Sequence, residues 1–279
     1  MNHRSSEKHF IGEAFSIQQL RKLGFDKMAR PHSHTCYELY YLLHGERVYF
    51  MNGNVYVARK GDLMLVMPGD LHSTSSSQVE EFERVLLHFS PEFLSGEDGS
   101  ILEQAPFLES GMIHLPLKEQ PELERLLLAM LAECQEHHNF YETFVRQLLT
   151  EFLIRVHRTA LGADDMPQPR HPMHQKISEI SAYIHEHYRE PLTLEELSRQ
   201  FYISPAYLSR VFLKLTGFHL SEYIRVVRVR EAQNMLRNTR EKIQLIAEQV
   251  GFEHVSHFNK TFKSITGSSP LHYRKQHRM

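Results

Sequence analysis

Two histidines and a glutamate in the first quarter of the chain have the types and spacing of a binding cluster. His32 and His34 are two positions apart, so on an extended strand both side chains point to the same face. Glu38 follows at the same parity, and the turn Pro68-Gly69-Asp70 leads directly to His72. Imidazole and carboxylate groups suit a divalent transition metal, and a set of this kind leaves coordination positions open. These four side chains are the candidate effector-binding site and, if any metal binds, the candidate metal site.

The same four side chains have two metal-free interpretations. They can hydrogen-bond a hydroxyl-rich small molecule, since each hydroxyl needs a partner once it is buried. They can also be purely structural, because a chain with 20 histidines contains accidental clusters. We favour the metal-free pocket and predict no cofactor. A carbohydrate is the leading expectation for the ligand, and an aromatic acid or a peptide signal are the alternatives.

A second set of candidate residues lies on two predicted helices near the C-terminal end. In the first helix the spacing of Leu208, Phe212 and Leu215 defines an inward face, and in the second Phe258, Phe262 and Ile265 do so. Arginine can bridge two acceptors on guanine, asparagine can pair with adenine, and lysines suit phosphates. The outward residues are the candidate DNA contacts: Ala206, Ser209, Arg210, Lys214, Ser256, Asn259, Lys260 and Lys263.

The elements that position the first of these faces are a pair of short helices. Thr193 and Glu196 have the spacing of an N-terminal capping box, and that helix is predicted to end near Phe201. After a tight turn, Ser204-Pro205 begins the next helix and Gly217 ends it. Two short helices joined by a tight turn indicate a helix-turn-helix, whose second helix enters the major groove.

The pair recurs 50 positions later, since Thr216-Gly217 is matched by Thr266-Gly267 and Tyr223 by Tyr273. We therefore predict two helix-turn-helix units, near residues 192–217 and 243–267. Between them, Ser221 to Leu236 is predicted as one linking helix, which could set the two reading helices about one DNA turn, roughly 34 Å, apart.

Charge and composition agree with a DNA-binding protein. Residues 174–279 carry 16 Lys and Arg against 10 Asp and Glu, whereas residues 1–173 carry 16 against 24. A basic end on an acidic body suits a polyanionic partner. The chain has no apolar run of membrane-spanning length and no secretion signal, so we expect no membrane partner and a cytoplasmic location. Cys36 and Cys134 are expected to be reduced thiols.

The rest of the chain predicts a β-rich domain followed by two helices. Strand-like segments flank the turns Asn52-Gly53-Asn54 and Lys60-Gly61-Asp62, a spacing that favours a small barrel or sandwich. Two helical stripes follow, and either packing on the barrel or contact with a second chain could bury them, with the dimer slightly favoured. Their members are Leu123, Leu126, Leu127, Met130, Leu131, Cys134, Phe144, Val145, Leu148, Leu149, Phe152, Leu153 and Val156. Residues 161–173, rich in proline, are the predicted linker between a domain at 1–160 and one at 174–279.

One stretch of the second unit carries a family resemblance. Residues 246–252 (Ile-Ala-Glu-Gln-Val-Gly-Phe), followed by Phe258, Phe262-Lys263, residues 267–270 (Gly-Ser-Ser-Pro) and Tyr273-Arg274, resemble the signature of the AraC/XylS regulators. In that family, paired units share a linking helix and read two successive segments of the major groove. The resemblance places the base-facing positions on Ala206, Ser209 and Arg210 and on Ser256, Asn259 and Lys260.

The N-terminal cluster resembles a second known pattern. His32-x-His34, Glu38 and Gly45 match the first half of a cupin motif, and the segment that ends at His72 resembles the second half with the histidine one residue closer to Pro68. Together the resemblances imply an α+β protein of two domains, an N-terminal cupin-like β-barrel with a helical pair and a C-terminal all-α domain. They imply a sequence-specific transcription regulator rather than an enzyme, expected to be a homodimeric activator that binds double-stranded DNA, a sugar and RNA polymerase. The alternative is a metal-dependent cupin enzyme with a helical appendage.

Overall fold

The chain forms two compact units, residues Met1–His171 and Pro172–Met279. The computed structural model describes residues 7–24, 28, 31–77, 79–94, 96–162 and 171–277. No helix within these ranges combines the length and the apolar character that crossing a membrane requires. The first unit is rich in strands and the second is helical, so the predicted two-domain α+β fold is confirmed.

The N-terminal unit contains two antiparallel sheets. Their strands are β1 (His9–Ile11), β2 (Phe15–Leu23), β3 (Tyr37–His44), β4 (Glu46–Met51), β5 (Asn54–Arg59), β6 (Asp62–Val66), β7 (His72–Ser76), β8 (Glu81–Phe89) and β9 (Gly111–His114). The larger sheet has the order β1-β2-β8-β3-β6-β9 and the smaller one β5-β4-β7. The predicted hairpin is present between β4 and β5, where Asn52 and Gly53 both have positive φ, as a tight turn between twisted strands requires.

The two sheets share an inner core because alternate side chains of each strand face the other sheet. Tyr40, Leu42 and Met64 from the larger sheet pack with Tyr49 and Met51 from the smaller one. The same face of β3 also carries Glu38, two residues before Tyr40. The interior of this domain, which we call the barrel interior, is therefore partly apolar and partly polar.

Two helices cover the opposite face of the larger sheet. They are α1 (Gln120–Glu136) and α2 (Tyr141–Gly162), and their apolar stripes join one core cluster with strand residues such as Leu39 and Leu87. The slightly favoured assignment of these stripes to a dimer contact was wrong, because their own sheet already buries them. Phe144 was also misplaced in the stripe, since 47% of its surface is exposed.

The C-terminal unit is a set of helices. They are α3 (Pro172–His187), α4 (Leu194–Gln200), α5 (Pro205–Thr216), α6 (Leu220–Asn238), α7 (Ile243–Gln249), α8 (Val255–Thr266) and α9 (Pro270–His277). Both ends of the predicted linker are helical, because α2 continues to Gly162 and Pro172 starts α3 at a position where its missing N–H costs nothing. Linker residues 163–170 lie outside the described residues.

Candidate functional site

The first helix-turn-helix unit consists of α4 and α5. Thr193 and Glu196 form the predicted capping box: the Glu196 backbone N–H donates to Thr193 Oγ1 at 3.2 Å, and the Thr193 N–H donates to Glu196 Oε2 at 2.9 Å. The turn passes through Tyr202, which has a φ of 56°. Ser204 is the N-cap residue of α5, and its backbone is extended as an N-cap requires. Its side chain makes no capping hydrogen bond, so the prediction holds for the position and not for the side chain.

Helix α5 separates an apolar face from a polar one. Leu208, Phe212 and Leu215 are buried, as predicted. Of the predicted DNA contacts, Ala206, Arg210 and Lys214 are exposed and Ser209 is half-buried. The Arg210 guanidinium lies 5.5 Å from the centre of the Tyr207 ring, which limits the directions that the side chain explores.

The second unit, α7 and α8, repeats this arrangement with a different surface. Phe258 and Phe262 are buried, but Ile265 is 40% exposed, so its predicted inward orientation was wrong. The helix has nearly reached Gly267 at this point, and the last turn of a helix extends past the core that its earlier turns cover. The four residues predicted to contact DNA here are all exposed: Ser256, Asn259, Lys260 and Lys263.

Two residues join the second unit to the rest of the helical domain. Gly251 has a φ of +87°, and a Cβ there would approach the Tyr188 and Arg189 carbonyl oxygens to 2.9 Å, so only glycine fits. Arg228 of α6 donates to the Tyr188 carbonyl at 2.7 Å and to the Glu190 carbonyl at 2.8 Å. Burial lowers the pKa of Arg228. Arg228 therefore acts inside the domain and is not available to DNA phosphates.

In the barrel interior, the Glu38 carboxylate lies beside two of the predicted histidines, His34 and His72. Its Oε2 accepts a hydrogen bond from His34 Nε2 at 3.1 Å and lies 3.7 Å from His72 Nε2. A third histidine, His88, donates from Nε2 to the same oxygen at 2.9 Å. Glu38 and His72 are buried, His34 is half-buried and His32 is exposed.

Strand pairing brings these residues together from four segments of the chain. Glu38 lies opposite His88 in the register of β3 and β8. His32 and His72 form an isolated backbone bridge, with N–H to carbonyl distances of 3.1 and 3.0 Å, and their rings lie 4.6 Å apart. His88 was not among the residues predicted from the sequence. The alternation of Phe82, Leu86 and His88 along one strand was the signal that could have found it.

The hydrogen-bond partners fix the protonation of His34. Its Nδ1 lies 2.8 Å from the Cys36 carbonyl and its Nε2 faces the Glu38 carboxylate. The carbonyl and the carboxylate are both acceptors, an arrangement that favours the doubly protonated imidazolium. Burial opposes this charge, but the hydrogen bond and the negative charge of Glu38 raise the pKa of His34.

Glu38 and His72 respond to the same cluster in opposite ways. Burial alone would raise the pKa of Glu38, but the hydrogen bonds from His34 and His88 hold it well below its usual range. Burial lowers the pKa of His72, which stays neutral and uses Nδ1 to donate to the Asp70 carbonyl at 3.1 Å. His72 Nε2 is then a buried acceptor, and among the described residues it has no hydrogen-bond partner.

Two overlapping groups of these side chains could hold a metal ion. His32, His34 and His72 form one group, and His34, Glu38 and His88 form the other, with ligand atoms within 4.8 Å of one another in each. The four predicted residues therefore lie in one cluster, but Glu38 belongs to a different metal-binding group from His32 and His72. Glu38 Oε2 is already engaged by two histidines, so a metal at that oxygen would have to displace their hydrogen bonds.

The fold and these two sites define a class of protein, a DNA-binding chain with an attached ligand-binding barrel. Comparison with known proteins agrees. A family model described as an AraC-like ligand binding domain matches residues 25–153, and one described as a helix-turn-helix domain matches residues 197–276. The chain therefore combines an AraC-like ligand-binding domain with a helix-turn-helix domain.

The relatives of the chain are transcription regulators. It is 29% identical over 252 residues to the uncharacterized HTH-type transcriptional regulator YfiF of Bacillus subtilis, covering 87% of this chain and 78% of the relative. It is 25% identical over 247 residues to the arabinose operon regulatory protein of Salmonella typhimurium, covering 88% and 85%. The chain is therefore a DNA-binding transcription regulator with a ligand-binding domain and not an enzyme, so the alternative of a cupin enzyme is set aside.

Proposed function

We propose that this regulator senses a carbohydrate in the barrel interior and activates transcription in response. The observation that carries the proposal is the buried acceptor His72 Nε2 beside the Glu38 carboxylate. A sugar hydroxyl both donates and accepts, so one hydroxyl could donate to His72 while another meets His34 or Glu38. His32, His34, Glu38 and His72 are the proposed effector-binding residues. Relatives named for the arabinose operon make sugars the first class to test.

On the DNA side, we propose that the exposed faces of α5 and α8 read bases in successive major grooves. Arg210 suits guanine, Asn259 suits adenine, and Ala206 can offer only a methyl contact. The three lysines suit phosphates, where they add affinity without sequence information. The full proposed set is Ala206, Ser209, Arg210, Lys214, Ser256, Asn259, Lys260 and Lys263.

The assembly that couples the two sites is also a proposal. We propose a homodimer in the cytoplasm in which the domain at 1–160 senses, the linker at 161–173 connects, and the domain at 174–279 binds the promoter beside RNA polymerase. The effector must bind two arrangements of the dimer with different affinity, because a ligand shifts an equilibrium only by that difference. Since α1 and α2 bury their stripes within the domain, a dimer contact must use other residues.

The experiment is a thermal-shift screen of the full chain against sugars and divalent metals, with and without a chelator. An effector that binds only the native state raises the melting temperature by mass action. We expect one carbohydrate to raise it whether or not chelator is present, and His34→Ala to abolish the rise. His44→Ala is the matched control, because His44 is an exposed histidine at the end of β3, the strand that carries Glu38. A rise with metal alone that chelator removes would contradict the metal-free sensor.

A further inference from the structure

A second polar group in the barrel interior lies away from the histidines. Arg84 is on β8, four residues before His88, and so faces the same side of the strand. Its Nη2 donates to Gln18 Oε1 at 3.1 Å, and its guanidinium lies 5.3 Å from the centre of the Tyr40 ring. The other terminal nitrogen, Nη1, is buried and has no hydrogen-bond partner within the described part of the chain.

Tyr49 of β4 approaches the same space from the smaller sheet. The side chain is fully buried, and its hydroxyl also lacks a hydrogen-bond partner among the residues described. Its ring meets the Tyr40 ring edge-on at 5.1 Å, so Tyr40 contacts both Tyr49 and Arg84. Burial raises the pKa of Tyr49 well above its usual value, so the hydroxyl keeps its proton and can donate.

The contacts of Arg84 within the described residues are neutral. They are the Gln18 side-chain amide oxygen and the face of the Tyr40 ring. The Glu38 carboxylate is engaged by histidines. Arg84 is half-buried with Nη1 enclosed, and the fork of donors on a guanidinium matches the two oxygens of a carboxylate.

We propose that Arg84 Nη1 and the Tyr49 hydroxyl form an anion subsite, so that the effector is a sugar acid rather than a neutral sugar. The carboxylate of the ligand would accept from Arg84 and Tyr49, and its hydroxyls would reach the cluster around His72 and Glu38. The proposal rests on the proposed function, because it assigns the chemistry of the ligand in that same barrel.

The test compares matched ligands on the full chain. Binding of D-galacturonate and D-glucuronate is measured by calorimetry beside D-galactose and D-glucose at neutral pH. The acids are expected to bind and the neutral parents to bind at least tenfold more weakly. Arg84→Gln and Tyr49→Phe should each weaken acid binding by about tenfold, since a charge-assisted hydrogen bond is lost. Arg59→Gln, which changes an exposed arginine paired with Glu46 on the same domain, should bind as the unaltered protein does.

Each other result overturns the subsite in a distinguishable way. If neutral sugars bind as well as the acids and Arg84→Gln changes nothing, the carbohydrate sensor survives and the anion subsite is wrong. If none of the four binds while the folded protein still binds DNA, both proposals for the barrel fail. Tyr49→Phe keeps the ring, so a result from it remains informative if Arg84→Gln does not fold.

Discussion

The two domains place their polar residues in opposite positions. In the barrel interior, Glu38 is 4% exposed and its charge is met by histidines around it. In the helical domain, Arg210 and Asn259 are exposed, and the cores beneath them are built from phenylalanines and leucines. A buried polar group contributes to folding and function together, whereas an exposed one is free to serve recognition alone. Substitutions should therefore change stability in the first domain and affinity in the second.

The largest expected effect is at Glu38. Glu38→Ala removes two hydrogen bonds from imidazoles and leaves the half-buried His34 without its anion. We expect the free energy of unfolding to fall by about 2–4 kcal/mol. Chemical denaturation of the full chain measures this. Glu81→Ala is the control, because Glu81 pairs with Arg21 on the surface and should cost at most about 1 kcal/mol. Equal losses for the two variants would show that the buried position of Glu38 gives it no special role in the stability of the barrel.

The next effect is on DNA affinity. Arg210→Ala and Asn259→Ala should each weaken binding to a selected cognate duplex by about 1–3 kcal/mol, because each removes the side chain proposed to make a two-point base contact. Binding to random duplex should change less. The melting temperature of each variant should change no more than it does for an ordinary surface substitution. Fluorescence anisotropy with both duplexes measures the affinities.

The control for these variants is a half-buried cation on α3, outside both helix-turn-helix units. Lys176→Ala on α3 changes a residue paired with Glu179 and should leave both affinities unaltered. A loss that is the same on cognate and random DNA would show that Arg210 or Asn259 contacts only the phosphate backbone.

How much the sequence could predict also differs between the domains. The helical units were predictable because capping residues, apolar spacing and glycine stops act within a few positions, as Thr193 with Glu196 and Gly217 illustrate. The barrel site was predictable only in part. His32, His34, Glu38 and His72 are marked by local spacing, but His88 joins them through strand register across 50 residues.

Arg84 and Tyr49 extend this contrast. They come from separate strands and have no motif between them, so only the sheet packing brings both to Tyr40. The predicted burial of Ile265 and Phe144 was wrong for a related reason. Periodicity identifies a face of a helix, but the length of the neighbouring core decides how far along the helix that face is covered.

A smaller effect distinguishes the two helix-turn-helix units. Thr193 caps α4, whereas Lys242 stands at the corresponding place before α7 and makes no side-chain cap. Thr193→Ala should lower the free energy of unfolding by about 1 kcal/mol, and Lys242→Ser should raise it by about half as much. Thermal denaturation of the full chain tests both changes. If Lys242→Ser destabilises the protein, the lysine has a role that the missing cap does not describe.

The smallest expected effect is on the pH dependence of stability. The pKa of His34 is raised, so its contribution is present below its unfolded value near 6.5 and is lost as pH rises through the folded pKa. The pKa of His72 is lowered, so the unfolded state binds more protons and stability is lost as pH falls through 6.5. The two contributions oppose each other and should give a shallow profile between pH 5.5 and pH 7, roughly the range in which imidazoles titrate.

Glu38→Gln should make this profile steeper. Without the carboxylate, the pKa of His34 loses the hydrogen bond and the charge that raise it, and burial then lowers it as it does that of His72. Both histidines would oppose protonation in the folded state, so stability should fall by an additional few tenths of a kcal/mol per pH unit on acidification. The pKa of Glu38 itself is lowered, so its own contribution to stability is constant throughout this window and is lost only below about pH 4.5. Urea denaturation at several pH values, with Glu81→Gln as control, measures the slope. Parallel profiles for Glu38→Gln and the unaltered protein would mean that Glu38 does not set the protonation of His34.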